Sequence, residues 1–266
     1  MHRSVFSIAF LISVLTVLVF SRPNQTGDLK MADGQSAVQE TGFQVANQPN
    51  NAVGGVKGRV IFEGEAPRRL KLLLVKDTDV CGRVDQYDER LIVNNNNKGI
   101  QNAVVYLAGV PGGKPLSSLG NEFVMDQRGC RYQPHILLVP VNSPLEILND
   151  DGITHNFHTF CKKNRPCNLS QPDFYKKMEI TFKYPEFIHV RCDIHGWMSG
   201  WIVVVNQPYY TITDADGNFS LSDVPPGTYT LNCWQEKLGE KTEQVIIPAG
   251  GTATSTIVFN GTINSD

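Results

Sequence analysis

Apolar and polar positions alternate between residues 187 and 192: Ile188, Val190 and Cys192 share one face, His189 and Arg191 the other. This two-residue period predicts a half-buried strand with Cys192 pointing into a core and His189 facing solvent. The run 201–205, Trp-Ile-Val-Val-Val, reads as the next strand. The chain must turn between the two, and that turn brings His195 and Met198 round one point. Upstream, 145–148 is an apolar strand, Asp151 and Gly152 form a turn, and the return strand places His155 and Phe157 on one face and His158 on the other. Farther along, 211–221 reads as two strands joined by an Asp-Gly turn, and 225–231 as a further turn and strand. Runs 245–247 and 256–259, separated by Pro-Ala-Gly-Gly, complete a sandwich edge. Cys233 lies on the face of Tyr229 and Leu231 and reads as a small buried hydrophobe. The predicted fold class is all-β.

Composition agrees with an exported, β-rich protein. The chain has 266 residues, 41% hydrophobic and 19% charged, with 23 Gly and 15 Pro, enough for one or two domains with real cores. A net charge of -2 argues against nucleic acid as a partner. Residues 1–21 pair a short basic start with an apolar run of signal-peptide length, the alternative being an uncleaved membrane tether. Residues 22–55 are polar and aperiodic, as a flexible linker is. The expected location is periplasmic, envelope-associated or secreted.

The chemistry concentrates at Cys192, His195 and Met198, three residues apart on one short loop, with His155 supplying a second imidazole. Two His nitrogens and a Cys sulfur in one plane, with a weak axial Met, form the ligand set of a mononuclear blue copper site. Zinc competes poorly, since it seldom takes a thioether and prefers more thiolates or carboxylates. His135, His158 and His189 read as structural. Thr154-His-Asn-Phe-His158 and Cys192-Asp-Ile-His-Gly-Trp-Met-Ser-Gly200 resemble the two halves of the copper site in cupredoxins, the plastocyanin and azurin superfamily, and the short ligand loop is most similar to that of amicyanin. The proline-bearing segment 132–141 resembles the strand leading to the first His. The resemblance covers about residues 123–206 and implies a Greek-key β-sandwich with one type 1 copper held by His155, Cys192, His195 and Met198. It also implies that Asn156 ties the two ligand loops together through hydrogen bonds. Gly196 departs from the pattern, because amicyanin-like loops often carry proline after the His.

A second resemblance lies in the remaining residues. The segment 211–231, with its Asp-Gly turn and Pro-Pro-Gly, looks like the carboxypeptidase regulatory-like, transthyretin-type β-sandwich. That family opens with strands like Gly58-Arg-Val60 and Ala103-Val-Val-Tyr-Leu107, which here precede the copper motifs. The expected organisation is therefore a discontinuous smaller sandwich, 56–112 and 207–262, with the cupredoxin sandwich 113–206 inserted into it. Two domains in series is the alternative. Asp214 and Asp216 lack the distal Glu of an EF-hand and read as hairpin chemistry.

Six cysteines less the copper ligand leave five. Cys161 and Cys167 bracket a short loop and form the first candidate disulfide, Cys81 and Cys130 the second. Two function classes compete. The leading one is a single-electron carrier, not an enzyme, serving an unidentified redox protein; His195 should present its ring edge near the surface, with Trp197 in an apolar docking patch and Lys162, Lys163, Arg165, Lys176 and Lys177 as either a solvated face or a steering patch. The other is a surface or envelope protein that binds copper for structure, storage or delivery. Multicopper oxidation needs more His clusters than six histidines supply.

Overall fold

The structure, a computed structural model, describes residues 52–261. The expected signal or anchor at 1–21, and the linker up to residue 51, lie outside the described residues. The chain opens with β1 (Gly54–Glu63), a four-residue helix α1 (Thr78–Cys81), and strands β2 (Ile92–Val93), β3 (Ile100–Gln101), β4 (Val104–Ala108) and β5 (Phe123–Gln127). There follow β6 (Tyr132–Gln133), β7 (Ile136–Pro140), β8 (Pro144–Asn149), β9 (His155–Phe160), β10 (Asn168–Gln171), β11 (Lys177–Thr181) and β12 (Glu186–Arg191). The last six are β13 (Ser199–Val205), β14 (Tyr210–Ile212), β15 (Asn218–Val224), β16 (Gly227–Gln235), β17 (Gly239–Ile247) and β18 (Thr252–Asn260). The fold is all-β.

Two sheets come from the ends of the described chain. One has the order β15-β1-β18, the other β14-β4-β16-β17. β1 thus lies between strands more than 150 residues later, antiparallel to β15 and parallel to β18. Gly58 permits this: a Cβ there would stand 1.9 Å from the Ser255 carbonyl oxygen and 2.8 Å from the Phe219 ring. Between the sheets, Val56, Val60, Phe62, Leu107, Leu231 and Ile257 form one core with Cys233. Each such large side chain withdrawn from water contributes about 1.5–3 kcal/mol.

The central residues build a second pair of sheets, β10-β9-β12-β13-β7 and β11-β8-β5-β6. Their core contains Phe157, Ile188, Val190, Cys192, Met198 and Ile202. Strand β13 shows why 201–205 lacks alternation: Ile202 and Val204 face this core, while Val203 and Val205 join Val104 and Ile136 in a third cluster. A strand covered on both faces reads as a continuous apolar run. Around this third cluster pack Trp201 and Trp234, whose rings lie 4.8 Å apart at 70°. Beside them buried His135, on the lead into β7, bonds to Glu236, which follows β16; the Trp201 indole N–H donates to the same carboxylate at 2.7 Å.

Two expected hairpins are absent as ladders. β8 pairs with β11 and β5, whereas β9 pairs with β10 and β12, so the turn at Asp151 carries the chain from one sheet to the other. Likewise β14 pairs with β4 and β15 with β1. The Asp-Gly turn between β14 and β15 is a corner: the Asp214 carboxylate accepts the Asp216 and Asn218 N–H groups, and Gly217, at φ 77°, accepts the Val60 N–H at 2.8 Å. Turn chemistry specified the bend, and both flanking strands found better-buried partners elsewhere.

Candidate metal centre

Strand β12 ends at Arg191, so Cys192 is the first residue of the turn and still on the inward face of the alternation. The turn is tight. The Cys192 N–H donates to the Met198 carbonyl at 3.3 Å and the Met198 N–H to the His195 carbonyl at 2.8 Å, which folds all three side-chain positions together. His155 opens β9, the neighbour of β12. The imidazole Nδ1 atoms of His155 and His195 stand 3.0 Å apart, and the Cys192 sulfur is 3.7 Å from His195 Nδ1. One donor atom from each of the three lies within 4.8 Å of the others, and all three residues are buried. Met198 is 1% exposed in the same core cluster as Cys192.

The surroundings prepare these donors for a cation. Burial would push the Cys192 thiol up, but contacts to both imidazoles and the N–H groups of Asn156 and His195, each 3.4 Å from the sulfur, bring it down to about 6. His155 Nε2 meets the Asp151 carboxylate at 2.9 Å, and His195 Nε2 meets the Asp77 carboxylate at 2.8 Å. Burial opposes charge on His155, yet Asp151 and Cys192 raise its proton affinity above the ordinary value. Burial would raise Asp151 in turn, but His155 and the N–H groups of Cys130 and Gly129 hold it low. A carboxylate on Nε2–H fixes the tautomer that leaves Nδ1 free to bind. The Asn156 side chain accepts the Asp193 N–H and reaches the Asp193 carboxylate at 3.4 Å, linking the start of β9 to the Cys192 turn. One low-lying thiolate and two imidazoles with their lone pairs converging, beside a buried thioether, is a donor set that fits copper.

Several expectations need correction. His195 is not at the surface: it is fully buried, because Asp77 covers the Nε2 edge that a bare turn would expose. His189 is half-buried, stacked on Trp201 at 4.8 Å and bonded to the Ser199 hydroxyl at 2.8 Å. Cys161 and Cys167 are free thiols, while Cys81 and Cys130 form the disulfide. Register explains the first part: Cys167 stands opposite Thr159, exchanging backbone and side-chain bonds with it, so Cys161 lies beyond the paired position. His158 turns outward to Asp193 at 3.0 Å. Of the basic residues, Lys177 pairs with Glu146, and the Lys162 and Lys163 backbone amides bind Glu186. Sequence reading missed both carboxylates. Asp151, four residues before His155 in the same motif, carried a readable signal; Asp77, 118 residues from His195, carried none.

Comparison with known proteins gives partial likenesses. Residues 199–260 match the Carboxypeptidase regulatory-like domain family. Among solved structures, the chain is similar to a Cu(I) amicyanin variant at 17% identity and TM-score 0.29, covering 38% of this chain and 98% of that one. It is also similar to a purple cupredoxin from Nitrosopumilus maritimus at 18% identity and TM-score 0.26, covering 32% of this chain and 100% of that one. A Cu-containing nitrite reductase from Thermus scotoductus SA-01 matches at 22% identity and TM-score 0.29 over 38% of this chain, which spans only 25% of that enzyme. No curated protein matches the chain. The sheets themselves set the class as all-β, with one sandwich of five and four strands and a smaller one of four and three. The family match begins in β13, a strand of the central sheets, and runs to the end of β18, while β1 and β4 lie outside it.

Proposed function

We propose that this protein is an exported single-electron carrier whose His155 Nδ1, Cys192 Sγ and His195 Nδ1 would hold one type 1 copper, with Met198 as a weaker fourth ligand. The observation that carries the reading is the convergence of one depressed thiol and two facing imidazole nitrogens in a buried cluster. Bound there, copper supplies a one-electron couple. The chain's own residues do the rest. Amide bonds from Asn156 and His195 to the Cys192 sulfur withdraw charge from the thiolate and so bias the couple. Asp151 holds the His155 ring in place through an anchor in the Gly129 and Cys130 backbone. The close-packed core holding Cys192 and Met198 would resist ligand rearrangement between the oxidation states of a bound copper. The partner is a redox protein.

The reading of domain organisation belongs here as well: the regulatory-like sandwich is discontinuous, made of 56–112 and 207–262, with the cupredoxin sandwich 113–206 inserted. The pairing of β1 with β15 and β18 supports this. An optical spectrum of the copper(II) protein tests the function. An intense blue thiolate-to-copper band is expected; a colourless copper(II) protein would remove the carrier reading.

A further inference from the structure

In the metal centre, each imidazole has a carboxylate on its far nitrogen, and both carboxylates trace back to one disulfide. Asp151 accepts the N–H groups of Gly129 at 2.6 Å and Cys130 at 2.7 Å while meeting His155. Asp77 lies four residues before Cys81, and its carbonyl accepts the Val80 and Cys81 N–H groups at 3.0 and 2.8 Å. Cys81 and Cys130 are bonded, closing a loop of 49 residues. Asp77 itself sits at φ 47°, a left-handed position that Asp and Asn tolerate better than other side chains.

The segment that delivers Asp77 has little to hold it on its own. Between β1 and β2 the regular structure is α1 and one isolated bridge, Lys71 with Tyr87, flanked by backbone bonds from Leu72 to Gln86 and from Asp88 to Leu70. Such a stretch opens easily unless tertiary contacts restrain it. Most of the restraints meet at the Cys130 turn, while the Gln235 side chain holds the far end through the Arg90 carbonyl at 2.7 Å. Besides the disulfide, the Gln86 side chain donates to the Gly129 carbonyl at 2.7 Å and to the Cys81 carbonyl at 3.3 Å, and Glu89 pairs with Arg131 at 3.3 Å. Leu74 and Val80 pack on the core that contains Cys192 and Met198. The result is a strap across the Nε2 edge of His195. It buries His195 completely, with Asp77 itself 36% exposed on the outside.

We propose that residues 70–91 are a lid on the metal centre, pinned by Cys81–Cys130, in which Asp77 is the positioning residue that holds His195 with Nδ1 toward the metal and keeps solvent and chelators from that ring. This rests on the copper reading above. The pinning is asymmetric: the Gly129 and Cys130 N–H groups hold Asp151 directly, whereas Asp77 reaches the centre through the strap that the disulfide ties to that turn. Loosening the strap therefore frees His195 alone.

The test uses the full chain and three variants: Asp77→Asn, which keeps the left-handed backbone and an acceptor oxygen without the charge, Asp77→Ala, and Cys81→Ser combined with Cys130→Ser. Copper(I) release to a bathophenanthroline-type chelator is timed after the blue form is reduced. Release is expected to speed up about 10–100-fold in Asp77→Ala and in the double Ser variant, the range typical of losing a partner behind a metal-binding His, with Asp77→Asn between these and the parent. Unchanged release in both Asp77→Ala and the double variant overturns the proposal. Hydrogen exchange on the metal-free proteins reads the lid without copper: amides of 70–91 should lose protection in the double Ser variant while those of β9 and β12 keep theirs. Retained protection of 70–91 also overturns it. A parent protein without a blue band, together with loss of protection at 70–91, would sink the copper reading and leave the lid standing.

Discussion

His155 Nδ1 and His195 Nδ1 face each other at 3.0 Å, their rings 4.7 Å apart at 63°. Two nitrogen lone pairs cannot remain at that distance unless a proton or a cation lies between them. The Cys192 sulfur, which accepts two amide N–H groups, completes the triangle. Removing it by Cys192→Ser should abolish the blue band and lower copper affinity, because the soft ligand and the charge-transfer donor leave together. His155→Ala should lose the band too, whereas His158→Ala should keep it, since that ring turns out to Asp193. Absorption spectra of the copper(II)-loaded variants check all three, and a full blue band in the Ser variant would remove Cys192 from the site.

Met198 is buried beside Cys192 but is expected to bind weakly, so Met198→Leu should leave a blue protein. Losing thioether donation destabilises copper(II) more than copper(I), and the reduction potential should rise. Voltammetry decides: an unchanged or lowered potential would make Met198 a core residue only.

The contact between His135 and Glu236 joins the two sandwiches and gives stability a pH dependence. Burial alone would lower the His135 proton affinity, but the bond to Glu236, its charge and that of Glu89 raise it above the ordinary value of 6.5. A group whose folded affinity is raised stabilises fully below its unfolded value and loses that contribution as pH climbs through the folded value. The wild type should therefore exceed Glu236→Gln in urea midpoint most clearly at pH 5–6, with the gap narrowing above pH 7. A gap that widens toward alkaline pH contradicts the pairing.

Substituting Gly58 probes the seat of β1. Gly58→Val places a Cβ 1.9 Å from the Ser255 carbonyl oxygen, so β1 must move away from β18. The expected loss is about 3 kcal/mol, the upper range for overpacking. Because Val203 and Val205 tie both sandwiches into one apolar cluster, tryptophan fluorescence and circular dichroism should report a single shifted transition. Two separated transitions would show that the sandwiches unfold independently.

Thiol counting tests the cysteine pattern. The free cysteines are Cys161, Cys167, Cys192 and Cys233, so the denatured, metal-free, unreduced chain should show four reactive thiols. Two would mean that Cys161 and Cys167 are bonded after all.

What the sequence determined by itself was local. Period-two patterning placed Cys192 inward and His158 outward, and three-residue spacing put Cys192, His195 and Met198 on one turn, because strand pleat and loop length act over a few residues. The all-β class and both sandwich resemblances were legible for the same reason. Which strands meet was decided by tertiary structure: the period names a buried face but not the strand that covers it, so β8 and β9, or β14 and β15, could read as hairpins and still belong to different sheets. The burial of His195 was decided there too. It depends on Asp77, brought across 118 residues by a disulfide and a few long-range bonds, and contacts of that span leave no periodic trace in the chain.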